Sequence, residues 1–156
     1  MPILTETQLQ EFGVALLAAG GANESEALIV GRSLVQANLR GHDYHGVMRI
    51  PFYVKQVQDG KLNAGSNLTV VQESSGTVVG DGNWGFGQVL SRQLMEKLID
   101  KASTAGIASG SLRQSAHIGR LGEYAEMDAA RNMSAIICAN THGAAQRVAP
   151  VGGKRP

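Results

Sequence analysis

The stretch LTVVQESSGTVVGDGNWGFGQVLSRQLMEKLIDKASTA, Leu68 to Ala105, decides the fold of this chain. Its first half holds two short runs, Leu68–Gln72 and Thr77–Gly80, rich in β-branched residues and separated by Ser and Gly. Such runs favour strands, and the short polar break between them predicts a hairpin-like connection. From Gly87 the apolar positions Leu90, Leu94, Leu98, Ile99 and Ala102 recur at helical spacing until Gly106. Two strands followed at once by a long helix predict an α/β layer.

Upstream the pattern is helical throughout. Thr5 stands three residues before Gln8, a capping-box signature, and Leu9, Phe12, Leu16 and Leu17 then share one face until Gly20 and Gly21. Asn23 and Glu26 repeat the signature, with Ala27, Val30, Leu34 and Val35 carrying the stripe to Gly41. A shorter helix is expected between Pro51 and Gly60, with Phe52, Val54 and Val57 available for packing. Residues 1–65 therefore read as a helical N-terminal subdomain.

Downstream, Ile107–Leu112 predicts a strand, Leu121–Arg131 a helix and Ala135–Ala139 another strand. Residues 66–156 thus read as the start of a mixed α/β domain, and the whole chain as α/β of the α+β kind. The last residues, Pro150 to Pro156, read as a loop leading toward a further element. A sheet made only of the preceding strands leaves an edge or face uncovered, so the expectation is a fragment or a chain that depends on a partner.

Composition removes several classes of function. With 43% hydrophobic and 17% charged residues the chain can bury a core. Fourteen basic against thirteen acidic side chains, nowhere clustered, make no track for nucleic acid. No apolar run is long enough to span a bilayer and no leader-like segment opens the chain, so the expectation is a cytoplasmic protein. The single cysteine, Cys138, sits in the apolar run Ala135–Ala139 and is expected to be a small buried hydrophobe.

Three clusters can carry chemistry. Arg40 to Arg49, RGHDYHGVMR, lies between two predicted helices. His42 and His45 flanking an acidic residue suggest a metal, but no further ligand completes a known pattern, and His42 and Asp43 can equally cap helix ends. His45 and Arg49 make a better functional pair: an imidazole exchanges a proton near neutrality, and a guanidinium clamps a carboxylate through two hydrogen bonds. In the second cluster, Ser115 to Gly122, a strand gives way to a helix. Exposed amides at the helix start and Arg120 suit a phosphate, although His117 and Arg120 can also be ordinary turn and surface residues. The third, Gly80 to Gly85, satisfies the spacing of a dinucleotide fingerprint. The acidic residue expected some twenty positions on is misplaced, since Asp100 falls inside the helix, though Arg113 at the next strand end could meet a 2′-phosphate. Otherwise these glycines make turns and Trp84 fills the core.

Taken together, RGHDYHGVMRIPFYV (Arg40–Val54), GDGNWGFGQ (Gly80–Gln88), SAHIGRLGEYA (Ser115–Ala125) and VAPVGG (Val148–Gly153) resemble the malate/L-lactate dehydrogenase family that is distinct from the Rossmann-type enzymes. Ureidoglycolate and sulfolactate dehydrogenases and cyclic imino-acid reductases are among its members. The resemblance implies a helical N-terminal region, a central α/β domain of unusual topology and NAD or NADP bound outside a standard Rossmann fold. It implies hydride exchange with a small 2-hydroxy or 2-oxo acid, and a homodimer. On the matching residues, His45 would be an acid/base group, Arg49 would hold the substrate carboxylate, Tyr53 would line that pocket, and His117 would be a second catalytic candidate. His117, Ile118, Gly119, Arg120 and Leu121, with Asn140 and Thr141, would contact the cofactor.

Two departures stand out. Tyr44 occupies the place where many relatives carry a Ser before the His, a Ser that in the imino-acid reductases is expected to orient or relay the proton, which bears on the relay and on substrate class. The family also continues well beyond a segment like Gly152–Pro156, and those later residues complete its sites. The rival expectation is a noncatalytic remnant or an oligomerisation module.

Overall fold

The computed structural model describes residues 3–140. Its elements are α1 (Glu6–Ala19), α2 (Glu24–Leu39), two 3-10 turns (Asp43–His45 and Val47–Arg49), α3 (Ile50–Gln58), β1 (Thr69–Glu73), β2 (Thr77–Asp81), α4 (Gly87–Ala105), β3 (Ser109–Arg113) and α5 (Gly122–Ala129). Helices thus precede a small mixed sheet, an α/β architecture without the all-parallel sheet of a standard dinucleotide fold.

Local chemistry explains the helix starts. The Thr5 hydroxyl accepts the Gln8 amide at 3.2 Å while the Gln8 side chain accepts the Thr5 amide at 3.0 Å. Asn23 and Glu26 form the same reciprocal pair at 2.9 and 3.1 Å. These bonds satisfy amides that have no partner inside the helix. Glu26 goes further: its other oxygen accepts the Gly65 amide at 2.7 Å, so a buried carboxylate ties the start of α2 to the segment entering the sheet.

α1 and α2 pack side by side through Gly31, where an added Cβ would come within 2.8 Å of Val14 Cγ2. Leu17, Ala27, Val30 and Leu34 then form one apolar core with Ile50, Tyr53, Phe86 and Val89. Burial of these side chains from water drives the helices onto the start of α4.

β1 pairs antiparallel with β2, with a register irregularity between Val70 and Gln72, and β2 pairs parallel with β3. The β2–α4–β3 crossover lays α4 on the sheet, where Leu98 and Leu94 press on Gly110 so closely that a Cβ there would meet Leu98 Cδ1 at 2.7 Å. β2 buries Val78 and Gly80, whereas β1 and β3 are largely exposed along their length.

Three expectations need correction. Ala135–Ala139 is not a strand: it pairs with no neighbour among the described residues, and Ile136 is 96% exposed. An apolar run becomes a strand only where a sheet edge accepts its amides and carbonyls. Cys138, on the same run, is consequently exposed rather than buried. Trp84 does not fill the core either; it sits at φ 57 in a turn tied by its amide to the Gln114 carbonyl at 2.6 Å, and its ring is 45% exposed. Phe86 takes the buried place.

Candidate active site

The segment between α2 and α3 is shaped by Asn38. Its amide donates to Asp43 Oδ1 at 2.6 Å, and its oxygen accepts the Val47 amide at 2.9 Å. Gly46 lies so close beneath that a Cβ would come within 2.2 Å of Asn38 Oδ1. Asp43 therefore braces the loop through Asn38, and neither His42 nor Asp43 caps a helix by its side chain. What this bracing positions is His45.

His45 stacks on His117, which arrives from the loop after β3, with ring centroids 5.3 Å apart and planes 20° apart. At the edge of the His117 ring, Tyr53 of α3 places its hydroxyl 2.7 Å from Nδ1. Tyr53 is itself buried and receives the Gln88 side-chain amide at 2.8 Å, from the first turn of α4. The loop carrying His117 is pressed onto that turn, because Gly87 would put a Cβ 2.4 Å from the carbonyl oxygens of both Ala116 and His117. Four separate segments thus converge on one imidazole.

Arg49 completes the group. Its Nε donates to the Tyr44 carbonyl at 2.6 Å and its guanidinium lies 6.0 Å from the Phe52 ring centroid. Its two terminal nitrogens donate to nothing among the described residues, which leaves the fork able to receive a carboxylate. The Tyr44 side chain is 76% exposed, so at the departure from the family pattern it is the backbone carbonyl, not the phenol, that reaches the site.

The electrostatics favour neutral imidazoles. Burial, then the Arg49 charge, then His45 push His117 down to about 4. Burial, Arg49 and His42 lower His45 as well. Burial pushes the Tyr53 phenol up to about 12, so it keeps its proton.

The residues expected at a cofactor are more dispersed. Gly119, at φ +73, turns its amide back onto His117 Nδ1 at 3.3 Å. The Ile118 carbonyl accepts the Tyr124 hydroxyl. The amides of Ile118, Arg120 and Leu121 donate to nothing among the described residues, which suits an anion at the start of α5. Arg120 turns away from the histidines: it pairs with Glu126 at 2.9 Å and lines a cavity of about 480 Å³ with Arg32, Arg40, Arg92 and Glu123. Asn140 is exposed, and Thr141 lies outside the described residues.

The glycine fingerprint at Gly80–Gly85 faces protein. A Cβ on Gly80 would meet Leu68 at 2.4 Å, on Gly82 Leu90 at 2.4 Å, and on Gly85 Ser66 at 2.7 Å. Arg113 pairs with Asp81 at 2.8 Å. The close approach these glycines permit is used by neighbouring side chains.

Sequence reading did not single out Gln88 or Asn38.

The profile of the malate/L-lactate dehydrogenase family matches residues 4–156, and the chain belongs to that family. It is 38% identical over 146 residues to hydroxycarboxylate dehydrogenase B of Escherichia coli, covering 94% of this chain and 40% of that protein. Among solved structures, malate dehydrogenase from Pyrococcus horikoshii superposes with a TM-score of 0.79 at 36% identity, over 82% of this chain and 37% of that one. Sulfolactate dehydrogenase from Methanocaldococcus jannaschii superposes at 0.80 and 31% identity, over 84% and 38%. The chain spans about 40% of the length of the curated relatives it matches.

Proposed function

We propose that this chain supplies the N-terminal share of an NAD(P)-dependent oxidoreductase that interconverts small 2-hydroxy and 2-oxo acids. The observation that carries the reading is the stack of His45 on His117 beside Arg49, whose terminal nitrogens are uncommitted.

Arg49 binds the substrate carboxylate with its free fork and so sets the distance of C2 from the two imidazoles. Hydride exchange at C2 would be the chemistry that a bound nicotinamide supplies. His45 and His117 hold hydrogen bonds to the C2 oxygen and exchange its proton, and Tyr53 forms the buried wall behind His117. The amides of Ile118, Arg120 and Leu121, which donate to nothing among the described residues, would hold cofactor oxygens, with His117, Gly119, Asn140 and Thr141 adjoining them. Arg120 contributes charge there only by exchanging Glu126 for the ligand. We include a homodimer and a cytoplasmic setting in the proposal. Exposed apolar side chains on the helices, Phe12 and Leu16 of α1 and Leu39 of α2, support the former. Among the described residues no helix is long and apolar enough to cross a membrane.

Fluorescence titration of the chain with NADH and NADPH, with circular dichroism to confirm folding, tests the reading. Saturable binding of either, tightened by a 2-oxo acid, is expected. A folded chain that binds neither would leave the rival reading, a noncatalytic or oligomerisation module.

A further inference from the structure

His117 Nδ1 is approached by two groups, the Tyr53 hydroxyl at 2.7 Å and the Gly119 amide at 3.3 Å. The hydroxyl can donate or accept, but a backbone N–H only donates. Nδ1 must therefore be the acceptor, and the imidazole proton resides on Nε2. It follows that the Tyr53 proton points at Nδ1, and that the oxygen of Tyr53 offers a lone pair to Gln88 Nε2 at 2.8 Å.

A second, independent feature agrees with this direction of donation. Gln88 is fully buried, and its Oε1 has no hydrogen-bond partner. Reversing the amide would turn that orphan into an N–H donor, the costlier group to leave unpaired, while forcing Tyr53 to donate away from His117. The arrangement in place leaves the cheaper orphan. It also leaves His117 Nε2, on a half-buried ring, without a partner among the described residues.

We infer that Gln88 is a positioning residue: through Tyr53 it locks His117 in the Nε2–H tautomer, so that His117 presents a hydrogen-bond donor, not a lone pair, to whatever occupies the site. Its relevance to hydride exchange rests on the function proposed above, where a donor would face the C2 oxygen as charge develops on it. The tautomer itself does not. Gly119 contributes because its left-handed φ of +73 aims the amide back at the ring, and a side chain there would meet Gln88 at 3.4 Å.

The test is a two-dimensional long-range ¹H–¹⁵N spectrum of the histidine side chains in the uniformly ¹⁵N-labelled chain, near pH 7.5. Wild type is expected to show His117 with an unprotonated Nδ1 and a protonated Nε2. Tyr53→Phe, left with only the long Gly119 contact, should show a mixture of tautomers. Gln88→Glu puts an acceptor where a donor stood, turns the Tyr53 proton toward position 88 and shifts His117 toward Nδ1–H. A side chain that merely filled space would leave the tautomer unmoved. A wild-type His117 protonated on Nδ1 would overturn the inference whether or not either variant folds. So would folded variants that both keep the wild-type pattern. Because the spectrum needs no cofactor, a locked tautomer in a chain that binds no nicotinamide would sink the functional proposal and leave this inference standing.

Discussion

His45 and His117 lie face to face, 5.3 Å between ring centroids, although one comes from a turn ahead of α3 and the other from the loop after β3. Both are held below their ordinary titration range, chiefly by burial and secondarily by the positive charge of Arg49. Two imidazoles in contact cannot both charge cheaply.

This pairing predicts acid sensitivity. A histidine pushed down in the folded state binds fewer protons there than when unfolded, so stability rises with pH through that interval. For His117, with a folded value of about 4 against 6.5, stability is complete above pH 6.5 and is progressively lost as pH falls toward 4. The loss is about 2 kcal/mol after discounting for solvent screening of a half-buried ring. Urea unfolding at pH 7.5, 5.5 and 4.5 should show this fall, and His117→Asn should flatten it. Equal slopes for the two proteins would contradict the assignment.

Arg49→Ala should move both histidines. Removing the guanidinium lifts one cause of their depression, so NMR titration should place each imidazole higher than in wild type, while His117 stays below 6.5 because burial is the larger cause. In a full-length relative the matching change should weaken 2-oxo acid binding by about 2 kcal/mol, the worth of a charge-assisted fork. Unmoved titrations would mean that Arg49 does not face this site.

Glu26→Ala should cost more than an ordinary cap. It leaves both the Asn23 and the Gly65 amides without their carboxylate, in a place where water has little access. A loss of about 2–3 kcal/mol in urea unfolding is expected, against about 1 kcal/mol for the exposed Thr5→Ala cap. Similar costs at the two positions would show that the Gly65 tie contributes little.

Gly87→Ala should disturb the His117 ring by pressing on its backbone. The new methyl would lie 2.4 Å from two backbone carbonyl oxygens, which cannot rotate away as a side chain can. We expect about 2–3 kcal/mol of destabilisation and displaced His117 ring resonances. A variant of wild-type stability with an unchanged His117 spectrum would refute the close packing.

Much of this architecture was legible in the sequence because its signals act over a few residues. The capping pairs Thr5–Gln8 and Asn23–Glu26, the stripe from Leu90 to Ala102 and the stops at Gly21 and Gly106 each work within one or two helical turns. The same is true of the runs that became β1, β2 and β3. Their short range makes them independent of the rest of the chain, so reading along it recovers them.

The remainder depended on what packs against what. Ala135–Ala139 has the composition of a strand but pairs with neither open edge of the sheet among the described residues, and Trp84 is held in a turn by backbone bonds that keep its ring half outside the core. His45, Arg49, Tyr53 and His117 were recognisable as residue types, but their grouping required α3 and the loop after β3 to meet the start of α4. Gln88 acquired its place at Tyr53 only there. A hydrogen bond between segments far apart in the chain leaves no local pattern behind it, because the geometry that creates it belongs to the packed core and not to either segment alone.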